Sequence, residues 1–198
     1  MAVKFEYAPG ATPIDADEAA GLLPAHITLQ RELNEYEEAN ILEAAEWLFG
    51  RRRGDPLDER FIHTVHGRMF NQTWRWAGEA RRSDKNIGVR WYEIPVHLNQ
   101  MLGDVRVQIE HNAYTPAEIA ARYHHRLVAI HVFPNGNGRH ARLMADLLLM
   151  QLEGRRFEWG RESLTAANEL RARYIAALRA ADAGDCQPLL TFLGHSGA

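Results

Sequence analysis

The sequence predicts an all-α domain with one small β-hairpin. Apolar residues recur at helical spacing along most of the chain, beginning with residues 32–50. Thr115, Pro116 and Glu118 combine an N-cap, a proline in the first turn and a capping box, which marks a helix start. Residues 83–94 join turn-forming residues to a short strand-like run, so this segment is predicted to form the hairpin.

Start and stop signals place the other elements in order. Residues 1–27 carry three prolines and little periodicity, which predicts an irregular arm packed on the domain. Asp58 can cap the second helix, and Gly154 can end the most apolar one. The predicted helices cover approximately residues 32–50, 58–70, 95–111, 115–130, 139–152, 164–181 and 188–193.

The composition is that of a soluble globular protein of one domain. Of the 198 residues, 46% are hydrophobic and 25% are charged. A net charge of −3 disfavours a general nucleic-acid binder, which is usually basic. The single cysteine, Cys186, cannot form a disulfide within the chain and fits a reducing compartment. Because no secretory signal and no membrane-spanning apolar run is found, we expect a cytoplasmic protein without a membrane partner.

Residues 131–142 carry the chemistry that the sequence predicts. Glycines on both sides of Asn137 let the backbone turn sharply just before a helix, whose first N–H groups form an anion site. Arg139 and Arg142 are three residues apart and reach the same face of the helix start. Two guanidinium groups beside free backbone donors suit a di- or triphosphate. His131 can supply a general base to the same pocket.

This segment resembles the signature of the Fic (Fic/DOC) family, H-x-F-x-[D/E]-G-N-G-R-x-x-R. Seven of the eight specified positions match: His131, Phe133, Gly136, Asn137, Gly138, Arg139 and Arg142. Residues 74–78 look like the W-A-G segment common in the family, and the resemblance covers about residues 58–195. Residues 32–35 and 131–149 are more closely similar to a Fic subgroup called mobile mystery protein B.

The resemblance implies a Fic-type helical bundle and an activity, protein adenylyl transfer. His131 would take the proton from a Ser, Thr or Tyr hydroxyl of a target protein, and that oxygen would attack the α-phosphorus of ATP. Arg142 would hold the γ-phosphate. The family's flap, here Ile87, Gly88 and Val89, would align the target segment as an added strand. The α- and β-phosphates would be held by Gly136, Asn137, Gly138 and Arg139.

Asn135 departs from the family pattern. It stands where the family has the Asp or Glu that holds Mg²⁺ (or Mn²⁺) on the nucleotide phosphates. An amide oxygen can ligate such a cation but brings no charge. The enzyme is therefore expected to be slow, to use another metal, nucleotide or phosphate donor, or to bind a nucleotide without turnover.

Many Fic proteins carry an inhibitory helix reading [S/T]-x-x-x-E-[G/N], whose glutamate pairs with the second signature arginine. Residues 28–32 fit its first five positions, but Leu33 does not fit the sixth. Residues 165–169 fit the short pattern too. An inhibitory pair between Glu32 and Arg142 is the hypothesis that follows. The alternative is that Glu32 stabilises the first turn of its own helix. The chain is accordingly divided into residues 1–57, an arm with a possible inhibitory helix, and residues 58–198, the Fic core.

Several alternatives stay open. The domain could bind a nucleotide without transfer and act as a regulator, use a nucleotide other than ATP, or remove AMP with Glu32 orienting water. A DNA-binding module is disfavoured by the acidic balance. His124 and His125 are adjacent on a helix and point in different directions, so they make poor co-ligands for a transition metal. His63 and His66 have better spacing but lack an obvious third ligand. The subgroup resemblance implies a bacterial toxin–antitoxin-like setting, and a homodimer is possible.

Overall fold

The structure, a computed structural model, describes residues 12–50, 54–159 and 169–194. Within these ranges the fold is all-α, as predicted. The helices are α1 (Ala16–Ala19), α2 (Gln30–Phe49), α3 (Glu59–Phe70), α4 (Ile94–Glu110), α5 (Pro116–Ile130), α6 (Asn137–Glu153), α7 (Glu169–Asp182) and α8 (Gln187–Phe192), with a 3₁₀ turn at Trp91–Glu93.

The predicted caps are present. Asp58 accepts a hydrogen bond from the N–H of Phe61 at the start of α3. Thr115 accepts one from the N–H of Glu118 at the start of α5. At the end of α6, Gly154 takes the left-handed conformation with φ of 76°. Helix α7 begins at Glu169, and the predicted residues 164–168 lie outside the described residues.

The predicted hairpin at residues 83–94 is wrong. The segment consists of bends followed by the 3₁₀ turn, with no paired strands. Its backbone is held by other partners, because the N–H of Val89 donates to the carbonyl of Ile130 at 3.4 Å. The carbonyl of Val89 accepts from the side chain of Arg81. These bonds replace the second strand of a hairpin.

Helices α5 and α6 form the centre of the bundle. Their facing side chains are fully buried, among them Tyr123 on α5 and Leu147 on α6. Helix α2 packs on α3, and its Leu33 and Leu48 belong to the same continuous core. This packing places the N-terminus of α6 and the C-terminus of α5 beside α2, where the candidate site lies. Among the described residues, no helix is both long and apolar enough to cross a membrane.

Candidate active site

The conformation of the loop between α5 and α6 is fixed by hydrogen bonds from one of its own side chains. Asn137 is buried, and its amide accepts from the N–H of Phe133 at 2.9 Å and donates to the carbonyl of Phe133 at 2.7 Å. Gly136 has φ of 77°, and a Cβ there would lie 2.5 Å from the ring of Phe70. The side chain of Asn137 therefore shapes the loop, and only its backbone N–H remains to bind an anion. The first N–H groups of α6 have no partner within the helix and face the loop.

His131 ends α5 in the left-handed conformation, with φ of 57° and ψ of 62°. This conformation is uncommon for a residue with a side chain. The imidazole is buried, and Nε2 lies 3.1 Å from the hydroxyl of Thr12. Burial, with the nearby charge of Arg81, lowers the pKa of His131 to about 4. The ring is therefore neutral at pH 7, the state in which it can accept a proton.

Arg81 organises the segment that faces His131, and the sequence analysis missed it. Its guanidinium is buried and donates to the carbonyls of His131 at 2.6 Å, Ser83 at 2.7 Å and Val89. A basic residue in a loop gives no sequence signal for such burial. Its partners are backbone carbonyls, which no sequence pattern reveals.

The predicted flap residues lie against the histidine although they form no strand. Gly88 has φ of 100°, and a Cβ on it would lie 2.6 Å from the Cβ of His131. Ile87, with 43% of its surface exposed, and Val89 line the same cavity as His131. Residues 87–89 therefore lie beside the candidate base, and their role in aligning a target segment stays a prediction.

Arg139 is paired with a glutamate that the sequence analysis did not select. Its guanidinium donates to Glu37 Oε2 at 2.6 Å and lies over the ring of Phe70. Glu37 is on α2, is 6% exposed, and accepts with Oε1 from Trp74 Nε1 at 2.6 Å. Both carboxylate oxygens of Glu37 are thus used, one by the signature arginine and one by Trp74, two residues before the tryptophan of the W-A-G segment.

The predicted pair of Glu32 with Arg142 is not formed. Glu32 lies in the first turn of α2, where its carboxylate accepts from the N–H groups of Thr28 at 3.1 Å and Leu29 at 3.2 Å. These bonds lower the pKa of Glu32. Glu32 therefore stabilises the first turn of its own helix, as the alternative interpretation of this residue predicts. Residues 165–168 of the second candidate pattern lie outside the described residues.

Arg142 lies one helical turn after Arg139 on α6 and lines the same cavity. In the described part of the chain no hydrogen bond or ion pair to its side chain is found, and its burial lowers its pKa. Tyr174 of α7 lies beside it, and the Tyr174 hydroxyl is 3.0 Å from Nε2 of His124. That hydroxyl also faces Gly138. Arg142 is therefore available for an anion at the start of α6.

These groups open into one cavity of about 690 Å³. Its walls are α2, residues 87–89, the end of α5, the loop at 135–138 and α7. A volume of this size is typical of small-molecule sites. It holds the candidate base, the start of α6 and both signature arginines together.

Asn135 can ligate a divalent cation only through a neutral amide oxygen. Its Oδ1 accepts from the N–H of Gly136 at 2.6 Å, and its Nδ2 donates to the carbonyl of Thr12 at 3.2 Å. An amide oxygen has a second lone pair, so it can still ligate Mg²⁺ as a neutral group. The residues therefore fit a cation that is held mainly by nucleotide phosphates, with Asn135 as a minor ligand.

The nearby histidines have structural partners. His66 stacks on Phe133, accepts with Nδ1 from the N–H of Gly78 at 3.0 Å and so donates with Nε2 to the carbonyl of Asn135. His63 donates to the carbonyl of Gly78, and His140 to that of Ile62. In the described ranges no group of three or more His, Cys, Asp or Glu side chains is placed to hold a metal ion.

Comparison with known proteins agrees with this geometry. Residues 56–149 match the Fic/DOC family. The chain is 32% identical over 126 residues to "Protein adenylyltransferase fic-1" of Caenorhabditis briggsae, a match that covers 62% of this chain and 24% of that protein. It spans about a quarter of the length of such curated relatives. The similarity to the Fic/DOC family is therefore carried by the domain at residues 56–149.

Solved structures show the same fold. BepC, a VirB-translocated effector of Bartonella tribocorum with bound AMPPNP, superposes with a TM-score of 0.68 at 18% identity, covering 90% of this chain and 96% of that one. A Fic domain of a cell filamentation protein of Bartonella quintana with bound ADP gives 0.66 at 18% identity, covering 85% and 86%. The Fic-type bundle therefore extends over most of the chain.

Proposed function

We propose that this protein is an adenylyltransferase that moves AMP from ATP to a Ser, Thr or Tyr hydroxyl of a protein. The observation that carries the proposal is that the neutral imidazole of His131, the start of α6 and Arg142 line the same cavity. A base without a phosphate site, or a phosphate site without a base, would not suit this reaction. The names of the curated relatives and the nucleotides bound to the solved Fic structures support it.

The transfer follows from the positions of these groups. Backbone N–H groups of Gly138 and Arg139 at the start of α6 bind the phosphates, and Arg142 neutralises their charge. His131 Nε2 takes the proton of the target hydroxyl as the oxygen forms a bond to the α-phosphorus. The bond between the α-phosphorus and pyrophosphate breaks. Positioning and charge stabilisation supply most of the rate, as in phosphoryl transfer generally.

A divalent cation, Mg²⁺ or Mn²⁺, supplies further charge neutralisation when it is bound with the nucleotide. Asn135 would hold it through Oδ1, without the negative charge of an acid. This neutral ligand also keeps the second candidate function open, in which the domain binds a nucleotide and regulates a partner without transfer.

Restraint by α2 acts through Glu37 rather than Glu32 in this proposal. The ion pair occupies one edge of the Arg139 guanidinium, so Glu37 competes with a phosphate for that edge. The pair is partly buried, with the side chains of Arg139 and Glu37 21% and 7% exposed, so it is screened less than a surface pair. Glu37 therefore lowers the activity of the resting protein.

The test is self-labelling of the purified protein with α-labelled ATP and Mg²⁺ or Mn²⁺. Label is expected on the wild type and none on His131→Ala. Glu37→Gln keeps an acceptor for Trp74 but loses the charge that holds Arg139, so we expect its label to rise severalfold. The exposed neighbour Glu38→Gln and the helix cap Glu32→Gln are matched controls and should label like the wild type.

Two results would contradict these proposals. Equal labelling of Glu37→Gln and Glu38→Gln would exclude restraint by Glu37. Absence of label on every variant, with ATP bound in calorimetry, would exclude transfer and favour the regulator that binds without turnover.

A further inference from the structure

The hydroxyl of Thr12 lies against the candidate base. Its Oγ1 lies 3.1 Å from Nε2 of His131, and Thr12 is only 8% exposed. The other ring nitrogen, Nδ1, is buried and has no hydrogen-bond partner among the described residues. The backbone of Val128 lies near the ring and raises the pKa of His131, which favours a proton on Nδ1. A proton on Nδ1 leaves Nε2 as the acceptor, so the hydroxyl of Thr12 donates to the candidate base.

The backbone of Thr12 is held by Asn135. The amide Nδ2 of Asn135 donates to the Thr12 carbonyl at 3.2 Å. A carboxylate at this position has no proton to donate at neutral pH, so Asp or Glu would not make this bond. The residue that departs from the family signature is therefore the one that fixes Thr12 in the site.

The residues that follow Thr12 are fixed as well. Lys85, whose side chain is 2% exposed, donates to Asp15 at 2.7 Å and to Glu18 at 2.6 Å. Ser83 donates to the same carboxylate of Asp15 at 3.0 Å. These bonds tie residues 15–18 to the segment that leads to Gly88, beside the cavity. The segment from Thr12 to Glu18 is thus held beside the histidine by Asn135 at one end and by Ser83 and Lys85 at the other.

We propose that Thr12 is an intramolecular acceptor of the nucleotide, that is, a modification site of this protein on itself. The inference rests on the proposed function and adds the acceptor residue. Thr12 Oγ1 loses its proton to His131 Nε2 and forms a bond to the α-phosphorus of a bound nucleoside triphosphate. Pyrophosphate leaves, and Thr12 carries a phosphodiester-linked nucleoside monophosphate. The modified side chain then fills the space that a target hydroxyl needs, so modification closes the site to other targets.

The experiment is peptide mass spectrometry of the full chain after incubation with ATP and Mn²⁺. We expect AMP on Thr12 in the wild type and at the same position in Thr12→Ser, and loss of that modification in Thr12→Ala and His131→Ala. Thr64→Ala is the matched control, because the Thr64 hydroxyl is exposed and bonds to its own helix. This control should keep the modification of Thr12.

Dilution tests whether the acceptor lies in the same molecule. The modified fraction of Thr12 at a given time should not change on tenfold dilution of the protein, because an intramolecular reaction is first order. A tagged His131→Ala protein mixed with the wild type should stay unmodified at Thr12.

The outcomes separate this inference from the proposed function. AMP on other residues with Thr12 unmodified overturns the inference and leaves adenylyl transfer intact. Modification of Thr12 that falls in proportion to dilution also overturns it, since the acceptor is then a second molecule. Absence of AMP from every peptide of a protein that binds ATP overturns both.

Discussion

At the residue scale, Asn135 links the loop, the cation and the N-terminal segment. Its amide can donate to Thr12 because it carries N–H groups, and because it carries no charge it attracts a cation weakly. One side chain cannot serve both purposes well. The choice of amide over carboxylate therefore favours the bond to Thr12 at the expense of metal affinity.

Asn135→Asp should strengthen cation binding and remove the hydrogen bond to Thr12. The carboxylate adds a charged oxygen ligand and loses the donor to the Thr12 carbonyl, so Mg²⁺ should strengthen ATP binding by roughly tenfold more than in the wild type. Calorimetry of ATP binding with and without Mg²⁺ measures the difference. Asn99→Asp is the control, since the exposed Asn99 on α4 receives the same charge and bonds only to its own helix. An equal Mg²⁺ effect in both variants would contradict this role of Asn135.

Two of the glutamates of α2, Glu32 and Glu37, show where sequence reasoning reached its limit. The segment was correctly predicted to be helical, and the short inhibitory pattern selected Glu32. The pattern did not reveal which face of α2 meets the loop, because that depends on how Leu33 and Leu48 pack into the core. Glu37 had no local signal, since its partners Trp74 and Arg139 are distant in sequence. The signature residues themselves were predictable because they are contiguous.

At the scale of elements, helices were predictable and the flap was not. Helix boundaries follow from caps and apolar periodicity, which are local. The segment at 83–94 contains turn-forming and β-branched residues, which predicted a hairpin. Its backbone partners are instead the end of α5 and the side chain of Arg81. A long-range side-chain partner of this kind is invisible to local propensity.

Arg81→Met should release this segment. The variant leaves the carbonyls of His131, Ser83 and Val89 without their donor, and one unsatisfied buried group costs about 1–3 kcal/mol. The free energy of unfolding should fall by at least about 2 kcal/mol, measured by urea denaturation. Arg82→Met, at an exposed neighbouring position, is the control. Equal stability of the two variants would show that Arg81 does not fix the segment.

At the scale of the whole molecule, the site is embedded in a group of buried neutral histidines. Burial lowers the pKa of His124 and of His140 to about 3 and that of His66 well below its usual value, and His131 has a pKa of about 4. Burial raises the pKa of Asp146 to about 6. Folding therefore keeps these histidines neutral and favours the protonated form of Asp146.

This arrangement predicts that the protein loses stability in mild acid. Below about pH 6.5 the histidines of the unfolded chain bind protons, whereas the buried histidines of the folded protein stay neutral. Each histidine therefore lowers the free energy of unfolding by about 1.4 kcal/mol for each unit by which the pH falls. Asp146 opposes one histidine between about pH 6 and its usual pKa, because the folded state holds its proton. A net loss of roughly 4 kcal/mol per pH unit follows in that window.

Urea denaturation at closely spaced pH values between about 7.5 and 4 tests this loss. His124→Gln is the informative variant, because an amide can keep a hydrogen bond to Tyr174 without titrating. Its stability should fall less steeply than that of the wild type, by about 1.4 kcal/mol per pH unit. A free energy of unfolding that stays constant or rises as the pH falls would mean that these histidines are not held neutral. The pKa of His131, on which proton transfer depends, would then be ordinary as well, and activity would decline below about pH 6.5 instead of persisting toward about pH 5.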